Sequence, residues 1–244
     1  MTIELSPGAY GLVGPNAAGK TTLLRELHAK CDASIAPSAA DARFAGMTVG
    51  RHLDCARLAR PNFNNELADR ILGNIHSKSR FASLSVGQRR LLTLATTLAS
   101  DKPMLLLDEP LDGLDVATRK RLRTIFIELL ENLERTLVIA THRAEDLVGL
   151  VEHVITVHDN EISEPLQLDT AREDFPTLTG SKHVIEKLIG SKQVLDSRVL
   201  GNSAAVTLGQ PLSSSETARA QAERVELSLA DDLTLINLLA SERN

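Results

Sequence analysis

Short apolar runs and longer amphipathic stretches follow one another along residues 1–164. The short runs are typical of strands in a parallel sheet that is covered on both faces. They predict strands over residues 3–5, 9–13, 34–37, 104–107, 137–140 and 154–157. Apolar positions at helical spacing predict a helix that ends near Lys30, a mostly helical segment over 48–100, and a long helix over 115–134. The core stripe of that long helix consists of Leu122, Ile125, Phe126, Leu129, Leu130 and Leu133. The alternation predicts an α/β fold with a mostly parallel sheet.

The pattern changes after Pro165, where polar segments divide shorter elements. Polar turns are predicted over 177–181 and 212–215, and the runs at 194–199 and 204–208 flank Gly201 and Asn202 as in a β-hairpin. Residues 228–231 are similar to a helix cap before an apolar run over 233–239. We therefore predict two parts: residues 1–164, with a helical subdomain at about 48–100, and a small α+β extension over 165–244.

The segment 14–21 carries the first candidate chemistry. It lies between an apolar run and a helix, the placement of a phosphate-binding loop (P-loop), whose backbone N–H groups and helix N-terminus bind the phosphates of a nucleoside triphosphate. We expect Lys20 to hold the β- and γ-phosphates and the Thr21 hydroxyl to coordinate Mg²⁺. The nucleotide-binding residues predicted in this segment are Gly14, Pro15, Asn16, Ala17, Ala18, Gly19, Lys20, Thr21 and Thr22.

Composition excludes several other functions. The 244 residues are 43% hydrophobic, enough for a sizeable core, and a net charge of −5 with a pI near 5.8 argues against nucleic acid as the main partner. The two cysteines, Cys31 and Cys55, have no metal-binding or redox spacing and are expected to be reduced thiols, as in the cytoplasm. No apolar run approaches the ~20 residues of a membrane span, and no signal peptide is visible. A membrane role would therefore depend on a partner.

Two further motifs accompany the P-loop. The apolar run at 104–107 ends in Asp108, which is placed to orient Mg²⁺, and in Glu109, which is placed to take a proton from water. Some twenty residues earlier, Leu84-Ser85-Val86-Gly87-Gln88 precedes Arg89 and Arg90 at the start of a helix. We expect that arginine pair to be solvated rather than to bind phosphate.

Together these motifs resemble the nucleotide-binding subunit of an ABC transporter. The resemblance covers residues 2–162, with the Walker A motif at 14–21, the signature at 84–88, the Walker B motif at 105–109, the D-loop at 111–115 and the switch histidine at 141–143. It implies a P-loop NTPase core and a Mg²⁺-dependent ATPase with Glu109 and His142 as catalytic residues and with Thr21 and Asp108 as metal ligands. The residues it adds to the ATP site are Ser85, Gly87, Gln88 and Asp115.

The resemblance also implies partners. Two nucleotide-binding subunits, identical or different, would pack head to tail around two ATP molecules, so that the signature of one faces the P-loop of the other. The pair would act from the cytoplasmic face on an integral-membrane permease. Export is slightly favoured, because residues 228–231 resemble a C-terminal segment of exporter ATPases. The alternative hypothesis is a soluble ABC-type ATPase that acts as a regulatory or mechanical switch. A small-molecule kinase is a third and weaker hypothesis.

The sequence departs from the family pattern at several positions. Ser38 stands where the family has a glutamine, and only about eighteen residues separate it from Lys20, so the family's β-arm must be reduced or absent. The aromatic residue that stacks on adenine has no counterpart, because Tyr10 lies too near the P-loop. Val86 replaces a signature glycine, and Ala17 replaces a P-loop glycine that can adopt positive φ. These departures predict a functional but slow ATPase, or one half of an asymmetric pair.

Overall fold

A mostly parallel sheet organises the first two thirds of the chain. The computed structural model describes residues 3–39, 41–42, 44, 47–131 and 134–241. The strands of the sheet are β1 Gly8–Val13, β2 Ala33–Ala36, β3 Met104–Asp108, β4 Thr136–Ala140, β5 His153–His158, β6 Glu161–Ile162 and β7 Leu166–Gln167. Their order is β2-β3-β4-β1-β5-β6; β7 also pairs with β5, and β6 and β7 run antiparallel to it. The carboxyl ends of β1, β3 and β4 therefore meet at one edge.

Helices cover both faces of this sheet. Those of the first part are α1 Lys20–Lys30, α2 Val49–Ala59, α3 Asn65–Leu72, α4 Val86–Leu98 and α5 Val116–Glu131. Helix α4 is buried from Arg90 to Leu98 and packs against α3. Helices α2, α3 and α4 give the helical content predicted over 48–100, and a separate subdomain there stays a prediction. Among the residues that the structure describes, no helix is both long and apolar enough to cross a bilayer.

A second, antiparallel sheet forms the compact part of the C-terminal region. Its strands are β8 Pro176–Ser181, β9 Val194–Leu200, β10 Ser203–Leu208 and β11 Glu226–Leu229, in the order β11-β8-β10-β9. Helices α7 Lys182–Ile189 and α8 Ser214–Ala222 cover one face, around Leu178, Ile185 and Val206. Helices α6 Leu168–Asp174 and α9 Asp232–Ser241 instead contribute to the core of the first sheet. The division after residue 164 stays a prediction, and these two helices pack across it.

Most strand predictions are confirmed, including the hairpin of β9 and β10. The strand predicted over 3–5 is wrong, because both edges of β1 are already paired, with β4 and β5. The polar turn predicted over 177–181 is also wrong: these residues form β8, whose threonines suit a strand and whose Leu178 points into the small core. The structure describes α5 only as far as Glu131, so Leu133 lies outside the described residues.

The cap predicted within residues 228–231 lies at the last of them. Ser228 belongs to β11, and the α9 cap is Asp231, whose Oδ1 accepts a hydrogen bond from the Thr234 amide at 2.7 Å. The turn predicted over 212–215 is shorter than expected, because Ser213 is the N-cap of α8 and the helix begins at Ser214.

Candidate functional site

The P-loop joins the end of β1 to the start of α1 through two glycines with positive φ. Gly14 has φ 149°, and a side chain there would place Cβ 2.1 Å from the Val157 carbonyl oxygen. Gly19, at φ 112°, is the N-cap residue of α1, and no side chain caps that helix. Uncapped N–H groups at a helix N-terminus, together with the helix dipole, favour a bound phosphate.

Lys20 is buried at the first position of α1 and its side chain arches back over the loop. Nζ donates hydrogen bonds to the Gly14 carbonyl at 2.7 Å and to the Pro15 carbonyl at 2.9 Å. Burial lowers the pKa of Lys20, whereas the charges of Glu109 and Asp108 oppose that shift. The ammonium group therefore lies among negative groups and carbonyl oxygens, ready to contact phosphate oxygens.

Asp108 ends β3 and is only 3% exposed. The Thr21 hydroxyl donates to its Oδ2 at 2.9 Å, although the two residues are far apart in sequence. Burial raises the pKa of Asp108, while the Thr21 hydrogen bond opposes this rise. A hydroxyl and a carboxylate oxygen beside a phosphate-binding loop are the ligands that Mg²⁺ takes together with substrate phosphates, so these residues fit the cation.

Glu109 is held by the residues that follow β4. Its Oε2 accepts from the Thr141 hydroxyl at 3.0 Å, and its Oε1 accepts from the His142 amide at 3.1 Å and lies 2.8 Å from His142 Nδ1. The Glu109 backbone adopts φ 49°, which is unfavourable for a residue with a side chain. Strained backbone at the end of a strand is frequent at functional sites. The structure thus brings the two predicted catalytic residues, Glu109 and His142, into direct contact.

These elements enclose one cleft. Besides the predicted side chains, Ser38 and Asn160 contribute to its walls. The full lining is Asn16, Ala17, Gly19, Lys20, Thr21, Thr22, Ser38, Asp108, Glu109 and Asn160. Sequence reasoning missed Asn160, whose amide donates to the Ala18 carbonyl at 3.0 Å. Asp159 and Asn160 form the turn between β5 and β6. Residues of these types indicate a turn in the sequence, but they do not indicate that the turn contacts the P-loop.

The signature residues lie at a second, separate cleft. Ser85, Gly87, Gln88 and Asp115 border it, together with the exposed side chain of Val86. The Ser85 hydroxyl accepts from the Gln88 amide at 3.2 Å, and Gln88 Oε1 accepts from the Ser85 amide at 3.0 Å, a reciprocal cap of α4. Within one chain, the residues of this cleft do not join the P-loop site.

Asp115 caps α5 at the same cleft. Its Oδ1 accepts from the Thr118 amide at 2.9 Å and its Oδ2 from the Thr118 hydroxyl at 2.8 Å. These hydrogen bonds lower the pKa of Asp115. The Asp115 carboxylate therefore remains charged at the N-terminus of a helix, where a negative charge is favourable.

The prediction of a solvated arginine pair is wrong for Arg90, because its side chain is only 2% exposed. Its Nη1 donates to the Pro37 carbonyl at 2.8 Å and to the Asp108 carbonyl at 3.1 Å. Burial lowers the pKa of Arg90, and the charges of Asp108, Asp112 and Glu109 oppose that shift. The side chain therefore connects the signature helix α4 to the ends of β2 and β3. A basic residue at the start of a helix gives no sequence signal for such burial.

Comparisons with known proteins indicate the family of this chain. A family model described as an AAA domain, putative AbiEii toxin, Type IV TA system, matches residues 61–145. The aliphatic sulfonates import ATP-binding protein SsuB of Ralstonia nicotianae is 30% identical over 191 residues, which are 70% of this chain and 67% of that protein. The ABC transporter ATP-binding protein YtrB of Bacillus subtilis is 24% identical over 202 residues, 72% of this chain and 68% of that protein.

A solved structure of an ATP-binding subunit of an ABC transporter superposes with a TM-score of 0.56 at 18% identity, over 68% of this chain and 81% of that one. At this identity the likeness shows the fold, a P-loop NTPase core with a mostly parallel sheet. The sequence relatives go further. The chain belongs to the family of ABC transporter ATP-binding proteins.

Proposed function

We propose that this chain hydrolyses ATP at the P-loop cleft, with Mg²⁺, and that hydrolysis drives a separate membrane permease. The observation that carries the proposal is the convergence in one cleft of an uncapped helix N-terminus, the buried Lys20, and two consecutive residues with different partners, Asp108 and Glu109. Such a cleft supplies both an anion site and a proton acceptor.

The proposed chemistry follows from these positions. The α1 amides and Lys20 offset the negative charge of the triphosphate, and Thr21 and Asp108 would hold Mg²⁺, which neutralises charge on the β- and γ-phosphates. The oxygen of a water molecule attacks the γ-phosphorus, the bond to the bridging oxygen breaks, and ADP leaves. Glu109 accepts the proton of that water. His142 and Thr141 keep the Glu109 carboxylate in one orientation through hydrogen bonds.

A second subunit would complete the site. The signature cleft is distinct from the P-loop cleft in one chain, so Ser85 and Gly87 can meet a phosphate only on another subunit. The start of α4 at Ser85 is a helix N-terminus and would add favourable dipole energy to the γ-phosphate. We propose a head-to-tail pair, in which the second subunit is either a copy of this chain or a related one.

We further propose that this pair works at the cytoplasmic face of a membrane with a permease that imports its substrate. The expectation of export rested only on the resemblance of residues 228–231 to a segment of exporter ATPases, and the relatives do not support it. The SsuB relative, in contrast, is an import protein by name. The alternative of a permease-free switch has no observation in its favour.

Co-purification of the tagged chain from its native membrane tests the coupling. We expect a stoichiometric polytopic membrane protein to accompany it, and an exclusively soluble complex would overturn the transport proposal. Binding of Mg²⁺-ATP by equilibrium dialysis tests the site itself. Binding is expected for the unchanged chain and should be lost in Lys20→Ala, which removes the ammonium group but leaves the sheet intact. Equal binding by both proteins would refute the assigned role of the P-loop.

A further inference from the structure

Strand β9 forms one edge of the small antiparallel sheet and carries exposed apolar side chains. It pairs with β10 on one side, and in the part of the chain that the structure describes no strand pairs with its other side. Val194, Val199 and Leu200 are 41%, 53% and 87% exposed. An edge of seven residues with such side chains is a template for another strand, and proteins ordinarily protect such an edge.

The sequence of β9 is complementary to itself. In an antiparallel pair of two β9 strands centred on Ser197, Asp196 lies opposite Arg198 of the second copy, and Arg198 lies opposite Asp196 of the second copy. By residue count the same register places Val194 opposite Leu200 and Leu195 opposite Val199. The pairing of β9 with β10 shifts at Leu195, so the regular part of the strand, which fixes the register, is 196–200. Opposite charges and apolar pairs directly across two strands are both favourable. No residue of β9 is left facing a like charge in this arrangement.

The charged side chains of β9, Asp196 and Arg198, already have the orientation that this pairing needs. Asp196 Oδ2 lies 3.2 Å from Arg198 Nε, so both charges occupy one face of the strand. Arg198 Nη2 also donates to the Thr234 hydroxyl of α9 at 3.4 Å, which restrains the guanidinium beside the sheet. The other edge strand, β11, has only four residues and carries Glu226 without a basic residue to oppose it in a second copy. The two edges therefore differ, and only β9 is self-complementary.

We propose that β9 is an interface for a second copy of this chain. The two β9 strands pair antiparallel about a two-fold axis at Ser197 and extend each four-stranded sheet into the other. None of the β9 residues lines the P-loop cleft or the signature cleft, so this contact is separate from the nucleotide-dependent pair and forms without nucleotide.

Cysteine cross-linking tests the axis directly. Two residues that face each other across antiparallel strands have Cα atoms about 4.5–5.5 Å apart, within the range of a disulfide. In a background with Cys31→Ser and Cys55→Ser, Ser197→Cys should therefore form a covalent dimer under mild oxidation without nucleotide. Ser191→Cys is the matched control: it is exposed and lies six residues before the axis, so it should stay monomeric. A monomeric Ser197→Cys protein, or equal cross-linking of both, would overturn the proposal.

Charge reversal tests the register. Asp196→Arg alone creates two like-charge pairs and should raise the dimer dissociation constant by on the order of tenfold, measured by analytical ultracentrifugation. Arg198→Asp alone should do the same, and the double variant should restore dimerisation. Circular dichroism confirms that each variant is folded. If neither single change affects dimerisation, or if the double change does not restore it, this register is wrong. That conclusion holds even if the chain dimerises through another surface.

Discussion

The P-loop cleft and the signature cleft each include a helix N-terminus, but they differ in how many functional groups converge there within one chain. In the first, groups from β1, β3 and β4 converge, and the functional side chains contact one another: Lys20 with the loop carbonyls, Thr21 with Asp108, and Glu109 with His142. In the second, the side chains of Ser85 and Gln88 cap the N-terminus of α4 and make no contact with the P-loop cleft. The P-loop cleft therefore offers several groups to a nucleotide within one chain, whereas the helix N-terminus at the signature needs another subunit to supply the phosphate.

Arg90 lies on α4, the signature helix, and donates hydrogen bonds to backbone carbonyls at the ends of β2 and β3. Its substitution should have the largest effect on the free energy of unfolding. Arg90→Met leaves the Pro37 and Asp108 carbonyls without their donor and three nearby carboxylates without a buried cation. We expect the free energy of unfolding in urea to fall by about 3 kcal/mol. Arg90→Lys, which keeps the charge, should lose less. Unchanged stability of the methionine variant would show that α4 is held to β3 by apolar packing alone.

Glu109→Gln tests the chemistry of the P-loop cleft. The amide keeps the size of the side chain but cannot accept a proton, so turnover should fall by ~10²-fold, equivalent to about 2.7 kcal/mol, while ATP binding persists. Steady-state phosphate release and equilibrium dialysis measure the two quantities. Glu145→Gln, an exposed carboxylate in the segment after His142, serves as control and should be unaffected. Full turnover in the Glu109 variant would remove this residue from its role as proton acceptor.

The signature cap can be separated from its proposed function, because Ser213 forms a second reciprocal cap, at α8. Ser85→Ala at α4 and Ser213→Ala at α8 each remove a side chain that accepts from the helix, and each should lower the free energy of unfolding by about 1 kcal/mol. Only Ser85→Ala should also lower turnover, by about tenfold, since it removes a donor to the phosphate of another subunit. Equal turnover in the two variants would mean that Ser85 acts only as a cap.

Ala17 offers the smallest and most local test of the P-loop. Its φ of 66° is the left-handed conformation, which is unfavourable for alanine and accessible to glycine. Ala17→Gly should therefore raise the free energy of unfolding by about 0.5 kcal/mol, relief of strain exceeding the greater entropy loss of glycine. Ala18→Gly, at a neighbouring position without positive φ, should lower it instead. Thermal denaturation of the two variants distinguishes the signs, and a loss of stability in both would contradict the strain at Ala17.

The sequence could place the predicted metal ligand Asp108 and the predicted catalytic residue Glu109 beside the P-loop, because the signal for their position is local. Asp108 and Glu109 follow a continuous apolar run, and such a run ends at the sheet edge where β1 also ends, so their meeting with the P-loop needed only the order of parallel strands. The nucleotide-binding roles remain predictions, but their proximity in space is observed. Asn160 and Arg90, in contrast, gave no local signal, since the contacts of each are with distant segments.

By itself, the sequence determined the kind of elements and the chemistry each could carry, because buried strands, glycine turns and helix starts depend on neighbouring residues. Only the tertiary structure decided that α6 and α9 join the core of the first sheet, that residues 177–181 form an inner strand, and that β9 is left at an edge. These outcomes depend on which surfaces meet. Long-range packing selects among locally acceptable conformations by burying the most apolar surface, and no short stretch of sequence contains that information.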